Sequence, residues 1–294
     1  MNQALDIPLP TLRKLSPEKI MEKYADITTK IFSNVDDAIP VIIPSRDEEY
    51  DIPACLAALA RSKLRVIPIV VVNCSKDRTY ERAKRMGAIV TEINGVKKVG
   101  ATQHGMKLVL KKILKNNTNR IILFTDADTL VTRNWSQILT DRLKKSLKSN
   151  LDSGVAIFGS SIYMHGPSRM ADIGQSAHGL IADLRQLVLR SKPLVRGHNY
   201  GLGLGSGNII IDIINKLDPK QVYRDDVALY DNLRKAGVRT LRCLHVRTVV
   251  ITRGDRAHSF SEFVKNVKDT NYEKSTYDKQ YSIEGCPEQE GELS

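Results

Sequence analysis

Two aspartates one residue apart, Asp126 and Asp128, directly follow the apolar run Ile121-Ile122-Leu123-Phe124 and Thr125. A strand of that kind delivers both carboxylates to one sheet edge, and in extended backbone positions i and i+2 point the same way. Like charges so placed repel and raise each other's pKa unless a cation neutralises them. Hard divalent cations take oxygen ligands, and Mg²⁺ typically uses one or two carboxylates together with phosphate oxygens. Asp126-Ala127-Asp128 therefore suits a metal–diphosphate site; as a bare pair it equally suits turn acids ahead of a helix opening at Asn134. A second acid pair, Asp225-Asp226, opens a stretch in which Val227, Leu229, Tyr230 and Leu233 recur at helical spacing. Such a pair compensates a helix dipole or holds a general base in a fixed direction. The third group is Arg253-Gly254-Asp255-Arg256-Ala257-His258, after the strand-like HVRTVVI. His258, or His245 just before it, could add an imidazole to the acid pair, while Arg253 and Arg256 could meet phosphate oxygens. A plain surface loop accounts for the same residues.

These groups need elements to hold them. Ser16-Pro17-Glu18 reads as an N-cap, a proline at the first helical position and a first-turn acid, opening a helix towards Lys30. Strands are expected over Pro40–Pro44, Val66–Val72, Ala88–Ile93, Ile121–Phe124 and Val155–Met164. Helices are expected over Asp51–Ala60, Arg78–Met86, Lys98–Leu114 and Asn134–Leu147. This alternation is the rhythm of βαβ units on a mostly parallel sheet. In such a sheet ligands bind off the carboxyl ends of the strands. Three strands end in polar, acid-bearing loops (SRDEE, NCSKD and TDAD), so those loops are expected to converge on one crevice.

The chain has 294 residues, with 45 basic against 33 acidic side chains and a formal charge of +12. That length suits one large α/β domain or two small ones, and the chain is expected as an N-terminal extension over 1–37, a main domain over 38–260 and a polar helix and tail over 261–294. Hydrophobic residues at 41% and charged residues at 27% exclude wholesale disorder. No apolar run approaches the roughly twenty residues of a membrane-spanning helix, and the start, MNQALDIPLP, lacks the layout of a secretory signal. Cys55, Cys74, Cys243 and Cys286 show no CxxC spacing, which argues against a disulfide framework or structural zinc and for the cytoplasm. The basic balance fits anionic partners. Aromatics at 5%, with no stacking motif, argue against a nucleic-acid binder, whereas lysine-bearing helices are compatible with peripheral contact at an anionic membrane face.

Taken in order along the chain, these features resemble the GT-A glycosyltransferases, in particular the large family-2 group, over roughly Ile39 to Phe260. Val41-Ile42-Ile43-Pro44 with Asp47-Glu48-Glu49 is similar to the family's opening strand and acidic turn. Val70 to Thr79, with Ser75, Asp77 and Thr79, looks like its second strand and S-x-D-x-T turn, which hold the nucleoside. Asp126 and Asp128 match its DxD, Gly205-Ser206-Gly207-Asn208 resembles the small-residue segment before the acceptor side, and Asp225-Asp226 falls where the family has Glu-Asp.

The resemblance implies an α/β/α GT-A fold and inverting transfer of a sugar from a UDP- or GDP-linked donor to a hydroxyl acceptor, with Mg²⁺ or Mn²⁺. It implies donor contacts from Pro44, Ser45, Arg46, Glu48, Asn73, Ser75, Asp77, Lys98, Asp126, Ala127, Asp128, Arg253 and Arg256. It further implies metal ligation by Asp126, Asp128 and His258, acceptor contacts from Gly205, Ser206, Gly207, Asn208 and Asp225, and Asp226 as the base. Two places depart from the pattern: Val72-Asn73 stands where an acidic or amide pair touches the base, and Thr102-Gln103-His104-Gly105 where Arg-Asn-x-Gly is common. Lys97 or Lys98 is the candidate replacement for the missing arginine; Lys98, Lys107, Lys111, Lys112 and Lys115 together also read as the solvated face of a helix.

Two enzyme alternatives fit less well. A sugar-phosphate nucleotidyltransferase needs a Gly-rich basic loop after the first strand, where this chain has the acidic SRDEEYD. A dinucleotide-binding oxidoreductase would use the glycines of GLGLGSG, but these precede an apolar, strand-like stretch and do not lie between a first strand and its helix.

Overall fold

The computed structural model describes residues 7–33, 37–114, 120–165, 199–219 and 225–252. Its centre is an eight-stranded sheet in the order β3-β2-β1-β4-β7-β6-β8-β5. The strands are β1 (Ile39–Ser45), β2 (Val66–Asn73), β3 (Ile89–Ile93), β4 (Ile121–Thr125), β5 (Thr129–Val131), β6 (Val155–His165), β7 (Asn199–Gly203) and β8 (Arg239–Thr252). β1 lies parallel between β2 and β4, and β2 carries β3 on its outer side, also parallel. β7 runs antiparallel to both β4 and β6, β8 runs parallel to β6, and β5 closes the far edge antiparallel to β8. Six of the eight strands therefore rise in one direction.

The helices are α1 (Leu9–Lys14), α2 (Pro17–Phe32), α3 (Ile52–Ala60), α4 (Thr79–Arg85), α5 (Lys98–Leu108, continued by a π-helical turn over Val109–Ile113), α6 (Trp135–Leu147), α7 (Ile209–Lys216) and α8 (Asp225–Lys235). They cover both faces. One core packs α1–α4 and α6 on one side of the sheet; the other packs α5, α7 and α8 on the opposite side. That explains why β1, β2 and β4 are continuous apolar runs rather than alternating ones: each is buried on both faces. The α/β/α architecture expected from the sequence is thus the one observed.

The helix expected after Ser16 forms and packs into the main core, and two other local readings change. Ser16 Oγ accepts from Lys19 N–H at 3.4 Å, and α2 buries Ile20, Met21, Tyr24, Ala25 and Phe32 in the same core as β1. The apolar stretch after GLGLGSG is the helix α7, not a strand, because Ile210 and Ile214, four apart, share one buried face while Asp212 is exposed. Cys74 is disulfide-bonded, with its partner outside the described residues, whereas Cys55 and Cys243 are free and buried.

Candidate active site

The carboxyl ends of three neighbouring strands, β2, β1 and β4, meet at one cleft. Its lining is Pro44, Ser45, Arg46 and Glu48 from the β1–α3 loop, Asn73 from the end of β2, Lys98 and Ala101 from the first turn of α5, and Asp126, Ala127 and Asp128 after β4. All of these except Ala101 were expected from the sequence. Ala101 escaped notice because nothing marks a small residue one turn after Lys98 until the helix is laid against the sheet.

Ser75 and Asp77 do not line the cleft; they build its rim. Asp47 and Cys74 both turn through the left-handed region, at φ 52, and side chains across the two loops take up the freed backbone donors. Ser75 Oγ accepts from Asp47 N–H at 3.0 Å, Asp47 Oδ1 from Lys76 N–H at 2.8 Å, Thr79 Oγ1 from Glu48 N–H at 2.8 Å, and Asp77 Oδ2 from Glu49 N–H at 2.9 Å. Asp77 Oδ1 also accepts from Thr79 N–H and its hydroxyl. The motif S-x-D-x-T is therefore a clasp on the β1–α3 loop.

Behind that clasp lies Arg82, 3% exposed. It donates to Glu49 O at 2.8 Å and to Glu18 Oε1 of α2 at 2.7 Å, with the Glu49 carboxylate 3.6 Å away. A backbone hydrogen bond, opposed by partial desolvation and aided by the Arg82 charge, holds the Glu18 carboxyl below its ordinary value. The N-terminal helix thus reaches the β1–α3 loop through one buried guanidinium.

The acid turn is closed by Thr129 N–H donating to Asp126 O at 3.2 Å. Asp126 and Asp128 are therefore set by a tight turn between β4 and β5, not by the extended backbone expected, although both still face the cleft. Asp126 Oδ1 lies 2.6 Å from Lys98 Nζ, and Thr129 Oγ1 donates to Asp128 Oδ1 at 3.2 Å. Beneath the turn, Cys55 Sγ–H points at Asp126 O, 3.5 Å away. Burial first, and then the charges of Asp128 and Asp126, push its thiol well above the ordinary range. Lys98 parts company with the other described lysines of its stretch, Lys107, Lys111 and Lys112, which are exposed.

Asn73 is 3% exposed, and its Nδ2 donates to Val96 O at 2.7 Å. Its Oδ1 and Ser45 Oγ are buried in the cleft wall with no hydrogen-bond partner among the described residues. Gln103, in the place of the family's common asparagine, serves packing: its Nε2 donates to Ile214 O and Leu217 O, both at 2.7 Å, tying α5 to the end of α7. The neighbouring His104 ring is within 3.0 Å of Thr91 Oγ1, and burial followed by the Lys107 charge lowers its pKa. A further polar set was not foreseen: Trp135 Nε1 donates to Asn199 Oδ1 at 3.3 Å, and Asn199 Nδ2 to Thr248 Oγ1 at 2.9 Å, fastening β7 beside the end of β4. The single tryptophan of the chain was its only signal.

The second acid pair sits at the same end of the sheet. β8 rises in the same sense as β4, and α8 enters its lower end through the turn at Gly237, so α8 begins at the upper end. Tyr230 packs edge-on against Phe158 at 5.3 Å; Phe158 stacks on Tyr200 at 5.4 Å and Tyr200 on Phe124 at 4.4 Å. Asp226 lies one turn above Tyr230, a rise of about 6 Å, while Asp126 lies two residues above Phe124. The backbone of the two acid pairs is therefore at one level of the molecule.

Gly205-Ser206-Gly207-Asn208 is not at that level, and its expected acceptor role is corrected. β7 descends from Asn199, opposite Thr125, to Gly203, opposite Ile121, so residues 204–208 lie at the other rim. There Leu204 N–H donates to Arg120 O, Ser206 N–H to Leu151 O and Gly207 N–H to Asp152 O. A Cβ on Gly205 would stand 2.3 Å from Asp152 O, which is why the segment needs small residues. Arg253, Arg256 and His258 follow the upper end of β8 and lie outside the described residues, as does most of the segment 160–203.

A cleft at the carboxyl ends of β2, β1 and β4, carrying a paired acid turn and a helix-start lysine, sits on an α/β/α fold of GT-A type. Residues 41–201, more than half of the chain, match the family described as Glycosyl transferase family 2, and the chain belongs to that family. Among curated proteins, 4,4'-diaponeurosporenoate glycosyltransferase of Staphylococcus haemolyticus (strain JCSC1435) is 36% identical over 91 residues, which are 31% of this chain and 24% of that protein. Among solved structures, one described as a mycobacterial protein aligns at 15% identity and a TM-score of 0.48, over 86% of this chain and 78% of its own. Glucosyl-3-phosphoglycerate synthase from Mycobacterium tuberculosis, in complex with Mn²⁺, UDP and phosphoglyceric acid, aligns at 16% identity and a TM-score of 0.46, over 86% and 82%. No helix among the described residues is long and apolar enough to cross a membrane.

Proposed function

We propose that this protein transfers a sugar from a nucleotide-diphosphate donor to a hydroxyl acceptor, with inversion at the anomeric carbon. The observation that carries the reading is the convergence of Ser45, Asn73, Lys98, Asp126 and Asp128 on one cleft in a chain of this family.

Each residue has a task. Asn73 Nδ2 gives one N–H to Val96 O, and its buried Oδ1, which only accepts, has no hydrogen-bond partner among the described residues and is offered to a ligand. A base that offers a ring N–H, as uracil and guanine do, satisfies it; cytosine offers none at the matching position. Lys98 stands at the first turn of α5, where the positive end of the helix dipole and an ammonium together favour a diphosphate.

The oxygen-only chemistry of Asp126 and Asp128 fits a divalent cation. An ion held by two carboxylates shares its remaining positions with donor phosphates. Such an ion, when bound, neutralises charge on the departing nucleoside diphosphate. The acceptor hydroxyl has a pKa far above 7 and must lose its proton as it attacks, and Asp226, at the cleft's level, is the assigned base. Asp225 orients the helix start or the acceptor, and Arg253, Arg256 and His258 are assigned to the donor's phosphates and metal.

A thermal-shift panel of UDP-, GDP- and other nucleotide sugars, each with and without Mn²⁺, tests the reading. Metal-dependent stabilisation by donors of one base is the expected result. No stabilisation by any of them, or full transfer activity in excess EDTA, overturns it.

A further inference from the structure

Lys98 and Asp126 lie 2.6 Å apart, nitrogen to oxygen, inside the cleft that the proposed function fills with a polyanion and a divalent cation. Each already holds a partner of the charge its ligand would bring. Lys98 is also poorly placed for the helix it starts: α5 opens on Lys97-Lys98 with no acid in its first turn and no side-chain cap. Cations at a helix N-terminus oppose the macrodipole, and a nearby anion relieves that cost. Asp126 supplies the anion in this structure.

We infer that Lys98 is the resident counter-ion of the acid turn, and that donor and metal enter by a double exchange of ion pairs. Lys98 passes from Asp126 to the diphosphate, and the divalent cation takes its place on Asp126. No covalent bond changes in this step. The inference rests on the nucleotide-sugar reading of the cleft and deepens it.

Charge decides the energetics. The diphosphate of a sugar nucleotide carries two negative charges and the metal two positive ones, so together they add nothing to the cleft, and every group ends paired. A cation arriving alone meets the Lys98 ammonium on the carboxylate it needs. A diphosphate arriving alone meets Asp126 and Asp128. Each ligand alone thus suffers a repulsion that the other removes, and by linkage each strengthens the other by the same factor. At 19% and 21% exposure these side chains are only partly screened by water. Lys98 is therefore a positioning residue for the acid turn as well as a phosphate ligand.

The test is a binding cycle. Free Mn²⁺ is followed by electron paramagnetic resonance, with and without UDP-glucose or GDP-mannose, at matched free-ion concentrations; nucleotide-sugar affinity without metal is measured by calorimetry. In the wild-type protein, the nucleotide sugar should tighten Mn²⁺ by about tenfold or more. Lys98→Met should bind Mn²⁺ alone about fivefold more tightly, bind metal-free nucleotide sugar more weakly, and lose most of the coupling. Lys98→Gln gives the same comparison should Lys98→Met fail to fold. Unchanged or weaker binding of Mn²⁺ alone by either variant overturns the exchange while leaving the nucleotide-sugar reading intact. If the wild-type protein binds neither nucleotide sugar, with or without metal, that reading falls and this inference with it.

Discussion

In the half of the sheet formed by β3, β2, β1 and β4 every pairing is parallel, and the cleft residues leave from strand ends and from the start of α5. In the half formed by β7, β6, β8 and β5 two of three pairings are antiparallel, and the acids come from the start of a helix, α8. The difference concerns how function is held. On the first side, side chains from one loop satisfy the backbone of the next, so the loops are fixed to each other before any ligand arrives. On the second, the small-residue segment that looked like a binding feature is used up in packing the lower rim. A glycine-dense motif is evidence of close backbone approach, and only the direction of the strand says what is being approached.

Four substitutions probe that contrast. The largest effect is expected at the second side's one assigned catalytic group: Asp226→Asn should lower kcat by about 10²- to 10⁴-fold while calorimetry finds nucleotide affinity nearly unchanged. Near-normal turnover would return Asp226 to helix capping. Next, Asn73→Leu removes the buried acceptor of the first side and should weaken nucleotide binding by about tenfold, the worth of one buried hydrogen bond; equal binding would place the base elsewhere. Gly205→Ala sharpens the correction at the lower rim. It should cost about 1–3 kcal/mol of stability through overpacking against Asp152, read as a lowered Tm, with the acceptor KM unmoved; a shift in that KM would restore the segment to the site.

The smallest effect is at the clasp's support. Glu18→Gln should lower the Tm modestly at pH 7. Because the folded protein holds this carboxyl below its ordinary 4.5, the wild type has its advantage above that pH and loses it as pH falls through the lowered value. The Tm difference between the two proteins should therefore shrink in acid. A difference independent of pH would show that the ion pair with Arg82 contributes nothing.

Much of the first side was legible. Val66–Val72 and Ile121–Phe124 are apolar runs that end in polar residues, and a strand buried on both faces leaves that pattern. Helices α3, α4 and α6 fell within a residue of their expected limits. The second side was harder. β7 is five residues with three small or polar members, and it is a strand because Phe124 and Phe158 sandwich Tyr200 across it, a contact no local pattern carries. The stretch Ile209–Ile211 has an apolar run common to strand and helix; burial of Ile210 with Ile214 chose the helix. The acid turn was found from spacing, yet its expected extended geometry was wrong, since the bond from Thr129 back to Asp126 depends on β5 pairing with β8, more than a hundred residues later.

The sequence by itself determined the class of fold, the strands of the first side and most of the residue types that line the cleft, because apolar periodicity and strand-end acids are local properties of the chain. Only the tertiary structure decided that Lys98 belongs to Asp126 rather than to a row of surface lysines, that Arg82 joins the N-terminal helix to the β1–α3 loop, and that Gly205–Asn208 lies at the opposite rim from the cleft. Each of these turns on which strands run side by side and in which direction. Such pairings are set by burial summed over the whole sheet, and no window of neighbouring residues contains that sum.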